Sequence, residues 1–154
     1  MFIIFITAVT ISLSVNSCQS ASGTIYLDKC FKVYNPGAST WIQANDVCRN
    51  KGGYLTTIST SSENTAVRNL VSSSFGYWIG LDDRYIEGTY VWTDGSTFSY
   101  SNWGLGYPTG STTNDCIEVA NSTGQWADVP CSNTLTYFVC QNAVVYGMYM
   151  HLFF

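Results

Sequence analysis

Histidine is almost missing from this sequence: the one copy, His151, stands near the C-terminal end. No nucleophile and base occur at a recognisable spacing either, which argues against an enzyme. No Cys-x-x-Cys pair is present, so a metal-thiolate centre is excluded too. Charge is scarce. Asp, Glu, Lys and Arg make up 10% of the residues, and the six basic ones are scattered through a chain of net charge −4, which rules out a surface that tracks nucleic-acid phosphates. Long apolar runs are missing as well. The stretch from Phe2 to Leu13 and the tail from Ala143 to Phe154 are each too short to cross a bilayer, so no stable membrane span is expected.

Cysteine and aromatic side chains are what the chain has in quantity. Six cysteines in 154 residues, behind an apolar N-terminus, point to an oxidising, extracellular compartment in which disulfides persist. The length suits one well-buried core and leaves little for a second. Residues 1–17 read as a signal peptide cleaved before Cys18, although the segment has no Lys or Arg at its start; an uncleaved anchor is the alternative. Residues 18–142 then form the domain, and residues 143–154 a loosely ordered apolar extension. A GPI signal would need a polar spacer before that tail, and none is there.

Along the domain, Thr24-Ile25-Tyr26-Leu27 and Phe31-Lys32-Val33-Tyr34 read as a β-hairpin around Asp28-Lys29. Thr40 and Gln43 have the spacing of a capping box. The helix that follows carries Trp41, Ala44, Val47 and Cys48 on one face and stops at Gly52-Gly53. Tyr54–Ile58 is a short strand. A second capping box, Thr60 and Glu63, opens a helix with Ala66, Val67, Leu70 and Val71 as its apolar stripe. Tyr77-Trp78-Ile79-Gly80-Leu81 is a central buried strand, in which Gly80 leaves room for a close neighbour. From Asp82 to Asp115 only Tyr90-Val91-Trp92 looks like a strand. An excursion of this length is functional or disordered, and its costly Trp and Tyr residues argue for an ordered loop that carries a site. Short strands return at Cys116–Val119, Gln125–Ala127 and Tyr137–Cys140. Asn121-Ser122-Thr123 is a glycosylation sequon.

Several of these pieces, in this order, resemble the long form of the C-type lectin-like domain family. They are Trp41-Ile42-Gln43-Ala44 ahead of Cys48, then Gly53 and Leu55, Trp78-Ile79-Gly80-Leu81, Trp92-Thr93-Asp94-Gly95 and Tyr100-Ser101-Asn102-Trp103. Asp115-Cys116, Trp126-Ala127-Asp128 and Phe138-Val139-Cys140 complete the pattern, which runs from Cys18 to Cys140. The resemblance implies an α+β fold: two helices packed on small antiparallel sheets, with a long ligand-binding loop and three disulfides. Six cysteines allow fifteen pairings. The resemblance selects Cys18 with Cys30, Cys48 with Cys140, and Cys116 with Cys131.

The family's long loop holds calcium, and in sugar-binding members one ion coordinates two saccharide hydroxyls. Calcium requires six to eight oxygens, several of them charged. Where the family has Glu-Pro-Asn or Gln-Pro-Asp, this chain has Tyr107-Pro108-Thr109, and where it has Trp-Asn-Asp there is Trp126-Ala127-Asp128. Asn114 stands where another carboxylate is usual. The sugar-coordinating ion is therefore not expected. Asp83, Glu87 and Asp115 match a neighbouring family site, so one structural calcium is expected there; solvated carboxylates, with Asp83 capping a turn, are the alternative. Tyr85, Tyr90, Tyr100 and Tyr107 offer rings with polar tips, whereas Trp92, Trp103 and Trp126 are expected inside. The implied role is extracellular binding of a glycan without the usual calcium, through a loop surface of Tyr100, Tyr107, Thr109, Asn114 and Asp128. The alternative is a protein ligand held by the same loop.

Overall fold

A computed structural model describes residues 11–15, 18, 23–72, 74–144 and 146–150. Among the described residues, strand β1 (Ile11–Val15) pairs with the last strand alone. The hairpin β2 (Thr24–Tyr26) and β3 (Lys29–Tyr34) turns at Leu27-Asp28, one residue earlier than the sequence suggests, with Leu27 in the left-handed region at φ 55°. Helix α1 (Trp41–Asn50), β4 (Tyr54–Leu55), α2 (Ser61–Leu70) and β5 (Tyr77–Asp82) follow. Then come β6 (Val91–Trp92), β7 (Cys116–Ala120), β8 (Gln125–Val129), β9 (Tyr137–Ala143) and β10 (Tyr146–Met150).

Eight strands join in one sheet of order β2-β3-β9-β5-β7-β8, with β4 added to β9 and β6 to β5. Its pairs are antiparallel except β5 with β9, which run parallel because the chain leaves β5 through the long loop and returns only after β7 and β8. The sheet is thus larger, and less purely antiparallel, than expected. The two ends pair as well. Ile11–Val15, read as leader sequence, and Tyr146–Met150, read as loose extension, pair as a two-stranded antiparallel sheet. Two β-prone stretches satisfy each other's backbone groups in this way. The rest of the proposed leader, residues 1–10, 16 and 17, and also His151, lie outside the described residues.

All six residues of β5 are buried, and strand alternation explains how. Tyr77, Ile79 and Leu81 enter one core cluster with Val67, Val71, Ile117, Val119, Trp92 and Trp126. Trp78 enters the other, with Trp41, Ala44, Cys48, Leu55 and Phe138. Both faces of the strand are therefore covered, one by α1 and the other by α2 and the long loop. The indoles are satisfied in place. Trp78 Nε1 donates to Ser39 O at 2.9 Å and Trp41 Nε1 to Ile79 O at 2.8 Å. At Gly80 a Cβ would sit 2.5 Å from Leu55 O and 2.6 Å from Thr93 Oγ1, so only glycine allows this approach.

The helix starts show two versions of one device. At Thr40 the capping box is complete, with Thr40 Oγ1 accepting from Gln43 N and Gln43 Oε1 accepting from Thr40 N. At Thr60 it is half made. Glu63 N donates to Thr60 Oγ1, but the Glu63 carboxylate instead accepts from Ser59 N and pairs with Lys29 Nζ at 2.9 Å. This second helix also buries a different stripe from the one expected. Val67 and Val71 are inside, Ala66 and Leu70 only half so, and Glu63 and Asn64 are buried because each has a polar partner within the fold.

Candidate functional site

The segment from Asp83 to Asp115 has little regular structure, and its order comes from being fastened at several points. Near its start, Asp94 accepts from Thr57 Oγ1 at 2.7 Å, Gln141 Nε2 at 2.8 Å, and both the amide and hydroxyl of Ser96. Burial alone would raise this carboxyl, yet it lies below its ordinary value because the Ser96 and Thr57 bonds and nearby Lys29 outweigh that cost. Further on, Trp126 N donates to Asn102 O at 2.8 Å and Gly104 N to Trp126 O at 2.9 Å, which lays residues 102–104 along β8.

Trp126 is the hub of this attachment. It is fully buried; Trp92, Tyr100 and Trp103 meet it edge-on at 5.9, 5.6 and 5.8 Å between ring centroids. Such edge-to-face contacts are favourable beyond the area they bury. Asn64, which nothing in the sequence marked, accepts from Trp126 Nε1 at 2.9 Å and donates to Gly124 O at 3.0 Å. The expectation that Trp92, Trp103 and Trp126 pack inward agrees with this cluster. Tyr100 is drawn in with them. Its ring rests on Trp126 and is half-buried, so part of it is committed to the cluster and only the remainder faces the loop surface. Tyr90 turns inward as well, against Phe98 and Trp103.

Thr109, Asn114 and Asp128 do come together. Asp128 is 1% exposed, yet it belongs to the loop's polar rim through Thr109, whose amide donates to Oδ1 at 2.8 Å and Oδ2 at 2.9 Å. The Thr109 hydroxyl adds a third bond to Oδ2 at 2.5 Å, and Asn114 Nδ2 donates to that hydroxyl at 3.3 Å. A carboxylate already bound by N–H and O–H groups of its own chain has fewer free lone pairs to offer an incoming cation, which would have to displace or share those bonds. Tyr107, two residues before Thr109, is 40% exposed at a cis Tyr107–Pro108 peptide, and nearby in sequence Leu105 is fully exposed.

The acidic turn lies at the end of β5. Asp83 is 2% exposed; its Oδ2 accepts from Gly88 N at 2.8 Å, while Oδ1 is buried and, among the described residues, makes no hydrogen bond of good geometry, although the Tyr90 hydroxyl lies near the carboxylate. Its carboxyl is raised above the ordinary value by burial first, and then by the charge of Asp115 against the Gly88 bond. Glu87, on the exposed turn, is raised too, by desolvation and by the fields of Asp83, Asp115 and Asp128. The Tyr90 phenol is pushed up by burial first, and then by Asp83, Asp128 and Glu87. Like charges thus gather around an orphaned buried oxygen, the electrostatic setting a cation would relieve. Among the described residues, however, no three of His, Cys, Asp or Glu are already placed as a metal cage.

Asn121 of the sequon is 8% exposed, and its Nδ2 donates to Val71 O at 2.8 Å; a glycan on that nitrogen would have to dislodge this buried contact. The three disulfides join Cys18 to Cys30, Cys48 to Cys140 and Cys116 to Cys131, as the resemblance implied.

Comparison with known proteins bears on the whole arrangement. A family model described as the Lectin C-type domain matches residues 37–142. Versican core protein of Bos taurus is 39% identical over 122 residues, which are 77% of this chain but 4% of that protein, so the chain spans a small part of this relative. Two solved structures are similar at full-domain scale. One is the cow C-type carbohydrate-recognition domain of CD23 in the presence of a GlcNAc2Man3 oligosaccharide, with a TM-score of 0.76 and 30% identity, covering 87% of this chain and 99% of that one. The other is a calcium-independent type II antifreeze protein, with a TM-score of 0.77 and 27% identity, covering 87% and 98%. With helices α1 and α2 on a disulfide-stapled sheet, a long loop pinned by Trp126 and a family match across most of the chain, this protein belongs to the C-type lectin domain family.

Proposed function

We propose that the chain is an extracellular recognition module that binds glycan at the rim of the long loop, around Tyr107 and Thr109, with no calcium bridging protein and sugar. The observation that carries this reading is the Thr109–Asp128 lock. It takes up both oxygens of the one carboxylate left at that position and turns a family ion site into a closed hydrogen-bonded corner. The Tyr107 ring then supplies an apolar face with a polar tip, a surface suited to a pyranose. Similarity to an oligosaccharide-associated domain and to a calcium-independent one supports each half of the reading. Three disulfides support an oxidising compartment, and with it secretion by removal of residues 1–17.

A glycan array read in calcium and again in chelator tests the proposal. Binding should persist in chelator and fall about tenfold or more in Tyr107→Ala, the loss expected when a stacking ring is removed. Glycans held in calcium and released by chelator would overturn it. An array silent under both conditions would favour the second reading, a protein ligand, for which Tyr85 and Ile86, at 84% and 65% exposure, offer an apolar contact on the same loop.

We further propose that Asp83, with Glu87 and Asp115, takes one calcium ion that stiffens the turn after β5 and leaves the ligand rim untouched. The orphaned Asp83 Oδ1 and the raised neighbouring carboxyls support this site. The ion would supply charge compensation; the loop backbone and water would have to complete its shell. The expected result is a rise in Tm at roughly 0.1 to 1 mM calcium, the weak range of extracellular modules. Asp83→Asn should abolish the rise and Asp128→Asn should leave it nearly intact. Asp83 and Glu87 hold protons more tightly folded than unfolded, so below their unfolded values they are protonated in both states and calcium has no charge to meet. The rise should therefore be full only above the raised folded values and should fade as pH falls through them. A Tm unmoved by calcium at neutral pH would count against the site.

A further inference from the structure

Asp82 and Asp83 are consecutive residues with different surroundings. Asp83 belongs to the acidic turn, whereas Asp82 lines a cleft of about 270 Å³ between α1 and the turn after β5. Asn45 and Arg49 of α1, Arg84 and Tyr85 of the turn, and Val91 of β6 also line it. Arg84 is held in place. Its Nε donates to Asp82 Oδ1 at 2.8 Å, and its guanidinium lies 4.4 Å from the centre of the Trp41 ring. Among the described residues its two Nη groups make no hydrogen bond. Arg49 lies over Tyr54 at 4.4 Å and has no carboxylate within ion-pair distance among those residues. The Asn45 side-chain amide is likewise without a hydrogen bond there, and its Oδ1 is buried.

These groups stand out in a chain of net charge −4. Lys29 is engaged with Glu63, and Arg68 donates to the carbonyls of Asn121 and Ser122. Arg49 and Arg84 instead bring unspent N–H donors to one cleft, where Asp82 offsets one of the two charges and leaves a net positive wall. Next to them Tyr85 exposes a flat ring, at 84% exposure. An anion, a hydroxylated frame and an apolar C–H face are the three features this set can meet together. The volume is just under the roughly 300 Å³ at which pockets for drug-sized ligands begin, which suits one sugar ring. An acidic peptide side chain would engage the arginines and leave Asn45 and Tyr85 without partners.

We propose that this cleft is a second ligand site, which takes a pyranose carrying a carboxylate. Arg49 and Arg84 meet the carboxylate, Asn45 meets a hydroxyl, and Tyr85 lies against the ring. The site stands apart from the Tyr107–Thr109 rim and does not rest on the reading of that rim.

The test is a titration of the ¹⁵N-labelled chain, followed by amide chemical shifts, with glucuronate, with glucose and with a glutamate-rich peptide. Glucuronate should give saturable shifts at Asn45, Arg49 and Tyr85, and glucose at the same concentrations should not. Arg49→Gln and Tyr85→Ala alter exposed side chains, so both proteins should keep the parent spectrum elsewhere, and each should weaken glucuronate about tenfold or more. The proposal is overturned by no saturable shift with glucuronate, equal response to glucose, tighter binding of the peptide, or affinity unchanged in both variants. Shifts confined to Tyr107 and Thr109 would also overturn it while leaving the rim reading intact. A silent glycan array with a responsive cleft would do the reverse.

Discussion

Replacing Cys48 and Cys140 together by alanine is expected to cost the fold about 4 to 5 kcal/mol, the largest loss from removing any one of its three crosslinks. The bridge ties the last turn of α1 to β9 across a sequence separation of 92, whereas the other two span 12 and 15. In the chain-entropy account the longest loop restricts the unfolded state most, and each short loop contributes about 3 kcal/mol or less. Both sulfurs also sit in the apolar cluster around Trp78, fully buried, so the alanine pair adds a void to the lost crosslink. Scanning calorimetry should show Tm lower by roughly 8 to 20 °C for a chain of this size. A Tm within two or three degrees of the parent would mean that packing of α1 on Trp78 and Phe138 already fixes the geometry the bridge spans.

Trp126→Ala should cost a comparable amount, about 3 to 5 kcal/mol, and should also undo the loop. The indole is fully buried, and three aromatic rings rest their edges on it. Removing it empties the centre of that cluster and leaves Asn64 Oδ1, inside the fold, without its donor. The backbone bonds from residues 102–104 to β8 lose the packing that covers them. Two measurements separate the effects. Chemical denaturation reads the loss of stability, and hydrogen exchange reads the amides of Trp126 and Gly104, whose protection should collapse under conditions in which the amides of β5 remain protected. If Gly104 stays as protected as in the parent, the long loop is ordered by Asp94 and its partners and not by Trp126.

The helices, the buried β5 strand and the inward tryptophans were legible because each is written in contiguous residues. A capping threonine, an apolar stripe or a bulky run acts on its near neighbours, and those are what a sequence displays. The errors of detail arose where a distant residue changed the balance. Glu63 and Asn64 look like solvent-facing helix positions until Lys29 and Trp126 arrive to pair with them. Tyr100 looks like a ligand-facing ring until Trp126 is placed beneath it.

The candidate sites divide the same way. Cysteine number and motif order by themselves determined the family, and composition pointed to an oxidising compartment, since both depend on which residues are present and in what order. Only the tertiary structure decided that Asp128 is spent on Thr109, that Asn121 turns its amide toward Val71, and that Arg49 and Arg84 line one cleft. Each of those facts joins residues 19 to 50 positions apart or aligns a helix with a turn. Hydrogen bonds and charge interactions act over a few ångströms of space, and a linear sequence does not record which distant residues folding brings that close.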